Sequence, residues 1–209
     1  MGSFTKGLNI LQLTRFYTAQ KKVPFVDDVS NSSLPFSKNT VIDPLGYEVS
    51  KYGLVKDHHF GFNIKHFMYY DHSGNILYMH NHAVIRRYKH TGYTATDTIS
   101  IPGLRVFFKS ADLYAAFTTE LKQCYLYIFQ NESLKKIQDT FRFTGFINSL
   151  LKHNNDEIFI GCSNGLYMVS LQKRKVIPIL KGINVKNVFM TGDGQLWMTT
   201  NKDGFYMIK

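Results

Sequence analysis

Thr191-Gly-Asp-Gly-Gln-Leu-Trp-Met-Thr-Thr-Asn-Lys-Asp-Gly-Phe-Tyr-Met-Ile208 reads as a tight Gly/Asp turn, a short apolar strand, a polar loop with a second Gly, and another apolar strand. The unit recurs. Lys152-His-Asn-Asn-Asp-Glu-Ile-Phe-Ile-Gly-Cys-Ser-Asn-Gly-Leu-Tyr-Met-Val-Ser170 has the same layout, as does Asp71-His-Ser-Gly-Asn-Ile-Leu-Tyr-Met79 followed by Ala83–Tyr88. Asp43–Leu54 is a tighter copy and Lys109–Phe117 a degenerate one without the turn Gly. The equivalent pairs Leu77-Tyr78, Leu113-Tyr114, Ile158-Phe159 and Leu196-Trp197 stand 36, 45 and 38 residues apart. A period of this size built from strands and turns marks an all-β chain, a β-propeller.

The repeat also sets the expected organisation. Met1–Gln12 aligns without a gap on Met198–Lys209, so the chain opens inside one repeat and closes inside another. This predicts outer strands of a blade over 1–36, blades over 37–63, 64–104, 105–141 and 142–185, and a partial blade over 186–209. About five blades of a larger, seven-bladed array are expected. Cut strand edges would leave an incomplete ring or favour a homodimer. The plainer alternative is that Met1 is a true start and the first outer strands complete the last blade. First strands are expected near Ile64–Tyr70, Arg105–Phe108, Phe146–Leu151 and Val185–Met190. Ser110–Leu121 and Glu132–Thr140 could pass for helix, but each stands where the repeat expects strands.

Of 209 residues, 44% are hydrophobic, and none of the apolar runs approaches the roughly 18 residues of a spanning helix. The N-terminus has no apolar core of a signal peptide, so a targeting segment would lie upstream. Val, Ile, Phe and Tyr dominate the apolar segments, which is strand chemistry. The net charge of +10 raises nucleic acid as a partner. Its distribution argues against one: Lys21-Lys22, Arg86-Arg87, Lys135-Lys136 and Lys173-Arg174-Lys175 are small, dispersed clusters, suited to a solvated rim.

The remaining motifs carry little chemistry. His80 and His82 would share a strand face, with His72 and His66 nearby, but zinc wants three or four ligands in a defined shell, and Asp71 is a turn residue. No metal and no cofactor is expected. Cys124 and Cys162 have no ligand spacing and read as buried free thiols. Tyr78, Tyr114, Phe159 and Trp197 share one phase, which suits packing between blades better than a stacking ring for sugars. Gly46, Gly74 and Gly194 supply the positive φ of a hairpin, and Asp43 and Asp71 bond the backbone of the same turn. Gly161–Gly165 imitates a nucleophile elbow but leads into a strand rather than a helix. No catalytic residue is assigned.

Gly192-Asp-Gly-Gln-Leu-Trp-Met-Thr-Thr-Asn-Lys-Asp-Gly-Phe205, with Asn155–Leu166 and Lys6–Leu11, resembles the two-component regulator propeller repeat. The resemblance covers nearly the whole chain. Such repeats form the periplasmic sensor region of membrane hybrid histidine kinases of Bacteroidetes-type bacteria, with kinase and membrane segments elsewhere in the protein. The resemblance implies a ligand-sensing module rather than an enzyme, in an extracytoplasmic location. Its partners would be a small oligosaccharide or other polar ligand and the neighbouring propeller and kinase regions of a longer protein. A protein-docking scaffold, or a propeller enzyme acting on polysaccharide, are the alternatives.

In a propeller the loops between second and third strands share a face with the connections between blades, opposite the Gly/Asp hairpins. Those loops are Ser50–Tyr52, His80–His82, Thr118–Lys122, Ser163-Asn164 and Asn201–Asp203. Tyr52, His80, His82, Asn164 and Lys202 are the expected ligand-binding group, since loops on a rigid scaffold carry binding residues. His72 and Asp193 mark the opposite face.

Overall fold

The computed structural model describes residues 2–3, 7–8, 33–60, 67–120, 123–202 and 204–208. Every ladder is antiparallel. Two compact units divide the chain, Met1–Ser100 and Ile101–Lys209.

In the first unit, β1 (Gly2–Ser3) and β2 (Gly7–Leu8) form a short ladder. A four-stranded sheet follows, with β3 (Leu34–Ser37), β4 (Thr40–Ile42), β5 (Tyr47–Ser50) and β6 (Gly53–Asp57) in chain order. The second sheet orders β7 (Met68–Tyr70), β8 (Ile76–His80), β9 (Ala83–Arg87) and β10 (Thr96–Ser100) in the same way, with a single 3-10 turn at Lys89–Thr91.

The second unit holds three more sheets. The first has β11 (Leu104–Ser110), β12 (Leu113–Glu120), β13 (Gln123–Phe129) and β14 (Ile137–Phe143). The next has β15 (Ile147–Lys152), β16 (Glu157–Cys162), β17 (Gly165–Ser170) and β18 (Lys175–Lys181). The last has β19 (Val185–Met190), β20 (Leu196–Thr200) and β21 (Phe205–Ile208). The first strands expected from the repeat are therefore β7, β11, β15 and β19, with 64–66 outside the described residues. Lys21-Lys22 also lies outside them.

Neither helix-like stretch is helical among the described residues: Leu113–Glu120 is strand β12, and of Glu132–Thr140 the part from Ile137 is strand β14, after a turn. Leu113-Tyr-Ala-Ala-Phe-Thr118 of β12 is buried at every position, so it does not alternate. A strand covered on both faces reads this way, and small Ala side chains suit its crowding. In contrast, β14 alternates buried and exposed from Asp139 to Phe143, the period of a strand with one wet face. Leu134, at φ +58, turns the chain ahead of it.

Within the first unit, Ile42, Phe60, Met68, Ile76, Tyr78 and Tyr93 form one buried cluster. In the second, Phe117, Leu126, Ile128 and Phe141 pack with Ile147, Ile158, Ile160 and Val169 of the next sheet. Leu166 packs with Val185, Val188, Leu196 and Met198 of the last. Of the four phase-equivalent aromatics, Tyr78 and Tyr114 are buried, and Phe159 lies against the last cluster. These three pack, and Trp197 is half-buried. Cys162 is buried and Cys124 half-buried, and both are free thiols.

Candidate ligand-binding end of the sheets

Consecutive turns of an antiparallel sheet alternate between its two ends, and the two ends here are built differently. One carries the Gly/Asp hairpins. Asp43, Asp71 and Thr191 each donate N–H to the carbonyl four residues on, at 2.9–3.0 Å, and their own carbonyls accept from Gly46, Gly74 and Gly194. These glycines sit at φ +91, +76 and +82, where a β-carbon is strained. Asp43 Oδ1 accepts from Leu45 N and Tyr47 N, and Asp71 Oδ1 from Ser73 N and Asn75 N. Burial raises the Asp43 carboxyl above its ordinary range, with the N–H donors opposing. At the equivalent exposed turn, the Thr191 hydroxyl and backbone donors hold the Asp193 carboxyl below it. Beside the Gly74 hairpin lies a surface depression of about 640 Å³ lined by Ser73, Asn75, Tyr88, Lys89 and His90.

At the other end of the second unit one hydrogen bond is repeated in every sheet. Thr119 N–H donates to Gly103 O at 2.9 Å, Ser163 N–H to Phe146 O at 2.8 Å, and Asn201 N–H to Asn184 O at 3.1 Å. Each ties the end of the second strand (Thr119) or the loop after it (Ser163, Asn201) to the connection entering the first strand. Immediately inside, the register of each first strand shifts at one place, between Leu104 and Val106, Ile147 and Ser149, and Val185 and Asn187. These are β-bulges, and the extra residues are Arg105, Asn148 and Lys186. A bulge breaks the ladder locally and re-aims its side chain, and bulges favour sheet edges and functional sites. Arg105 Nε donates to Thr119 Oγ1 at 2.6 Å, and Asn148 Nδ2 to Asn184 Oδ1 and Val185 O in the next sheet.

The expected site residues all stand at loops of this kind, though not all for the expected reason. Tyr52 is 76% exposed, with Lys51 Nζ 4.7 Å from its ring centroid. Because β3 precedes the strand that enters the Gly46 hairpin, the Lys51-Tyr52 turn joins the third and fourth strands of its sheet, not the second and third. It is still opposite the Gly46 hairpin. His80 ends β8, but Asn81 and His82 form the turn itself at φ +46 and +61. His82 is therefore outside the strand alternation that would have put both imidazoles on one face. Left-handed backbone at both central residues is the geometry of a type I′ two-residue hairpin.

Asn164 is half-buried, with Nδ2 donating to Thr144 Oγ1 at 3.1 Å and its carbonyl accepting from Gly182 N at 2.9 Å. Its Oδ1 is buried without a hydrogen-bond partner among the described residues. Lys202 is exposed in the equivalent turn of the last sheet; Lys122 and Asp203 lie outside the described residues. The structure thus places Tyr52, His80 and His82 in the first unit, and Asn164 and Lys202 in the second. Sequence reasoning missed the bulge residues. Their signal was one polar residue after the first apolar residue of each first strand, in Leu104-Arg-Val, Ile147-Asn-Ser and Val185-Lys-Asn.

Among the described residues, no group of three His, Cys, Asp or Glu side chains is placed to hold a metal. No described helix is long and apolar enough to cross a membrane. One buried imidazole–carboxylate pair occurs in the first unit, with His58 Nε2 3.2 Å from Glu48 Oε2. It is enclosed by Phe36 and Tyr93, and Thr40 Oγ1 donates to the other carboxylate oxygen.

No family model matches the chain, and no curated protein sequence does. Solved structures do. An extracellular domain assigned to a hybrid two-component system of B. thetaiotaomicron superposes with a TM-score of 0.64 at 15% identity, covering 88% of this chain and 28% of its own. A second such domain from B. thetaiotaomicron gives 0.62 at 12% identity, over 87% of this chain and 28% of its own. The chain has the β-propeller fold. The AfRom2 CNH domain gives 0.63 at 11% identity, over 86% of this chain and 67% of its own. At these identities the likeness shows the propeller fold alone. The propeller chain spans little more than a quarter of the length of the two extracellular domains.

Proposed function

We propose that this chain is an extracytoplasmic, periplasmic ligand-sensing propeller of a two-component signalling protein. In this reading it binds a glycan-derived signal and passes it to a kinase region elsewhere in a longer protein. The fold likeness to extracellular domains of hybrid two-component systems supports the sensing role. The observation that carries the site is the repeated N–H···O bond at Thr119, Ser163 and Asn201, which holds the end of each second strand or the loop after it against the connection beside it. Loops fixed in this way on a rigid scaffold can present hydrogen-bonding and stacking groups with little ordering cost. The binding residues proposed are Tyr52, His80 and His82 in the first unit and Asn164 and Lys202 in the second. The His58–Glu48 pair supports structure rather than chemistry in this reading, because aromatic rings enclose it.

The test is a screen of oligosaccharides and polysaccharide fragments for binding to the chain, repeated after replacing the five residues by Ala. Binding should weaken at least about tenfold, one factor of ten being 1.4 kcal/mol, while the melting temperature falls by only a few degrees. Affinity that survives those changes but is lost on altering His72 or Asp193 would place the site at the hairpin end. Turnover of a fragment would make the protein an enzyme, and capture of a protein partner without any glycan would make it a scaffold.

A further inference from the structure

The two ends of the second unit differ in their carboxylates, for Asp112, Asp139, Asp156, Glu157 and Asp193 stand on the hairpin side. Its ion pairs stand on the hairpin side: Lys152 Nζ to Asp112 at 2.6 Å, Arg174 to Asp139 at 3.1 Å, and His153 to Glu157 at 3.9 Å. At the loop end stand Arg105, Arg142, Lys181, Lys186 and Lys202, all exposed. Among the described residues none of these five has a carboxylate within 4.0 Å. The one described carboxylate at that end, Glu120, already accepts from Tyr127 OH at 3.0 Å. Two of the five cations, Arg105 and Lys186, occupy equivalent bulges, so the same backbone device delivers a positive charge twice.

We infer that the loop end of the second unit binds an anion, a saccharide bearing carboxylate or sulfate groups. The inference rests on the sensing function proposed above and narrows its ligand class. Exposed cations that outnumber the carboxylates at one end, with no ion pair among the described residues, repel one another, and an anionic ligand relieves that repulsion while its local concentration is raised. Arg105 keeps most of its guanidinium donors after bonding Thr119, and a guanidinium matches carboxylate or sulfate oxygens in pairs. The cations are distributed over three sheets rather than in one contiguous stripe. That spacing suits the discrete charges of an acidic oligosaccharide better than the dense phosphate track of a nucleic acid.

The experiment is calorimetry on the full chain with matched pairs: a hexuronate oligosaccharide and its carboxyl-reduced form, and a sulfated oligosaccharide and its desulfated form. The acidic member should bind at least about tenfold more tightly and weaken as NaCl is raised, as exposed charge contacts do. Lys181→Gln, Lys186→Gln and Lys202→Gln together should abolish that preference, whereas Lys173→Gln with Lys175→Gln, at the hairpin end, should leave it. The pair that shows the preference identifies the anionic group. Equal binding of the neutral members would overturn the anion inference and leave the sensing function standing. A failure of every saccharide, acidic and neutral, would remove both. Duplex DNA competing as well as the oligosaccharide would overturn the saccharide assignment in favour of a general polyanion surface.

Discussion

The guanidinium of Arg87 lies 4.3 Å over the ring of Phe60 and donates Nη2–H to the Phe60 carbonyl at 3.0 Å, across 27 residues of chain. Its Nε–H reaches Tyr78 OH at 3.0 Å and Nη1–H reaches Tyr93 O at 2.9 Å. Arg87 is 6% exposed, so a buried cation is held by three oxygens and an aromatic face.

Arg87→Ala should therefore destabilise the first unit by about 2–4 kcal/mol, because it leaves three buried acceptors unpaired and empties a packed volume. Arg87→Lys should recover less than half of that, since an ammonium cannot span the same fork. Denaturant unfolding decides it; a loss for Arg87→Ala under about 0.5 kcal/mol would show that water replaces the guanidinium without cost.

Gly46 and Gly194 occupy equivalent hairpins with similar φ but different surroundings. A β-carbon at Gly46 would stand 2.6 Å from Phe60 Cγ, whereas nothing lies within 4 Å at Gly194. Gly194→Ala should cost about 1 kcal/mol, the backbone contribution alone. Gly46→Ala adds overpacking and should cost about 2–4 kcal/mol. Equal losses would mean that Phe60 moves aside freely.

Burial pushes the Cys162 thiol from 9.0 up to about 12. A group whose folded pKa is raised stabilises the fold fully below its unfolded pKa, and that contribution is lost as pH rises from about 9 to about 12. Tyr70, raised by burial to about 12, has the same effect on the first unit over the upper part of the window. Stability of the second unit should fall across this range, and Cys162→Ala should flatten the slope there even though it lowers stability at neutral pH. Unfolding midpoints measured against pH check this; an unchanged slope in the variant would show that Cys162 ionises freely when folded. At pH 8 a thiol reagent should modify half-buried Cys124 before buried Cys162.

The hairpins were legible in the sequence because their chemistry is local: Asp71 must reach N–H groups two and four residues on, and Gly74 must take positive φ. Strand β12 was harder, since Leu113-Tyr-Ala-Ala-Phe117 has no alternation to read when both faces are covered. His80 and His82 gave a false strand face because Asn81 was the only hint of a left-handed turn. The β3 ladder with β4, which shifts the phase of the first sheet, carries no Gly/Asp signature. Arg87 was read as part of a surface pair because its partners, Phe60 and Tyr93, come from distant connections. The bulges at Arg105, Asn148 and Lys186 left only a faint signal, a polar residue after the first apolar one of each first strand, and pairing partners are needed to read it as a bulge.

The bulges separate what must stay constant from what can vary. Backbone hydrogen bonds fix each bulge, and the buried apolar residue ahead of it, Leu104, Ile147 or Val185, fills the core, so the inserted residue is under little packing constraint. Arg105 or Lys186 could be exchanged for a carboxylate, an amide or an aromatic ring while the ladder beside it kept its register. Selection could then rewrite what this scaffold recognises one position at a time, which is how a shared architecture persists among proteins that have few residues in common.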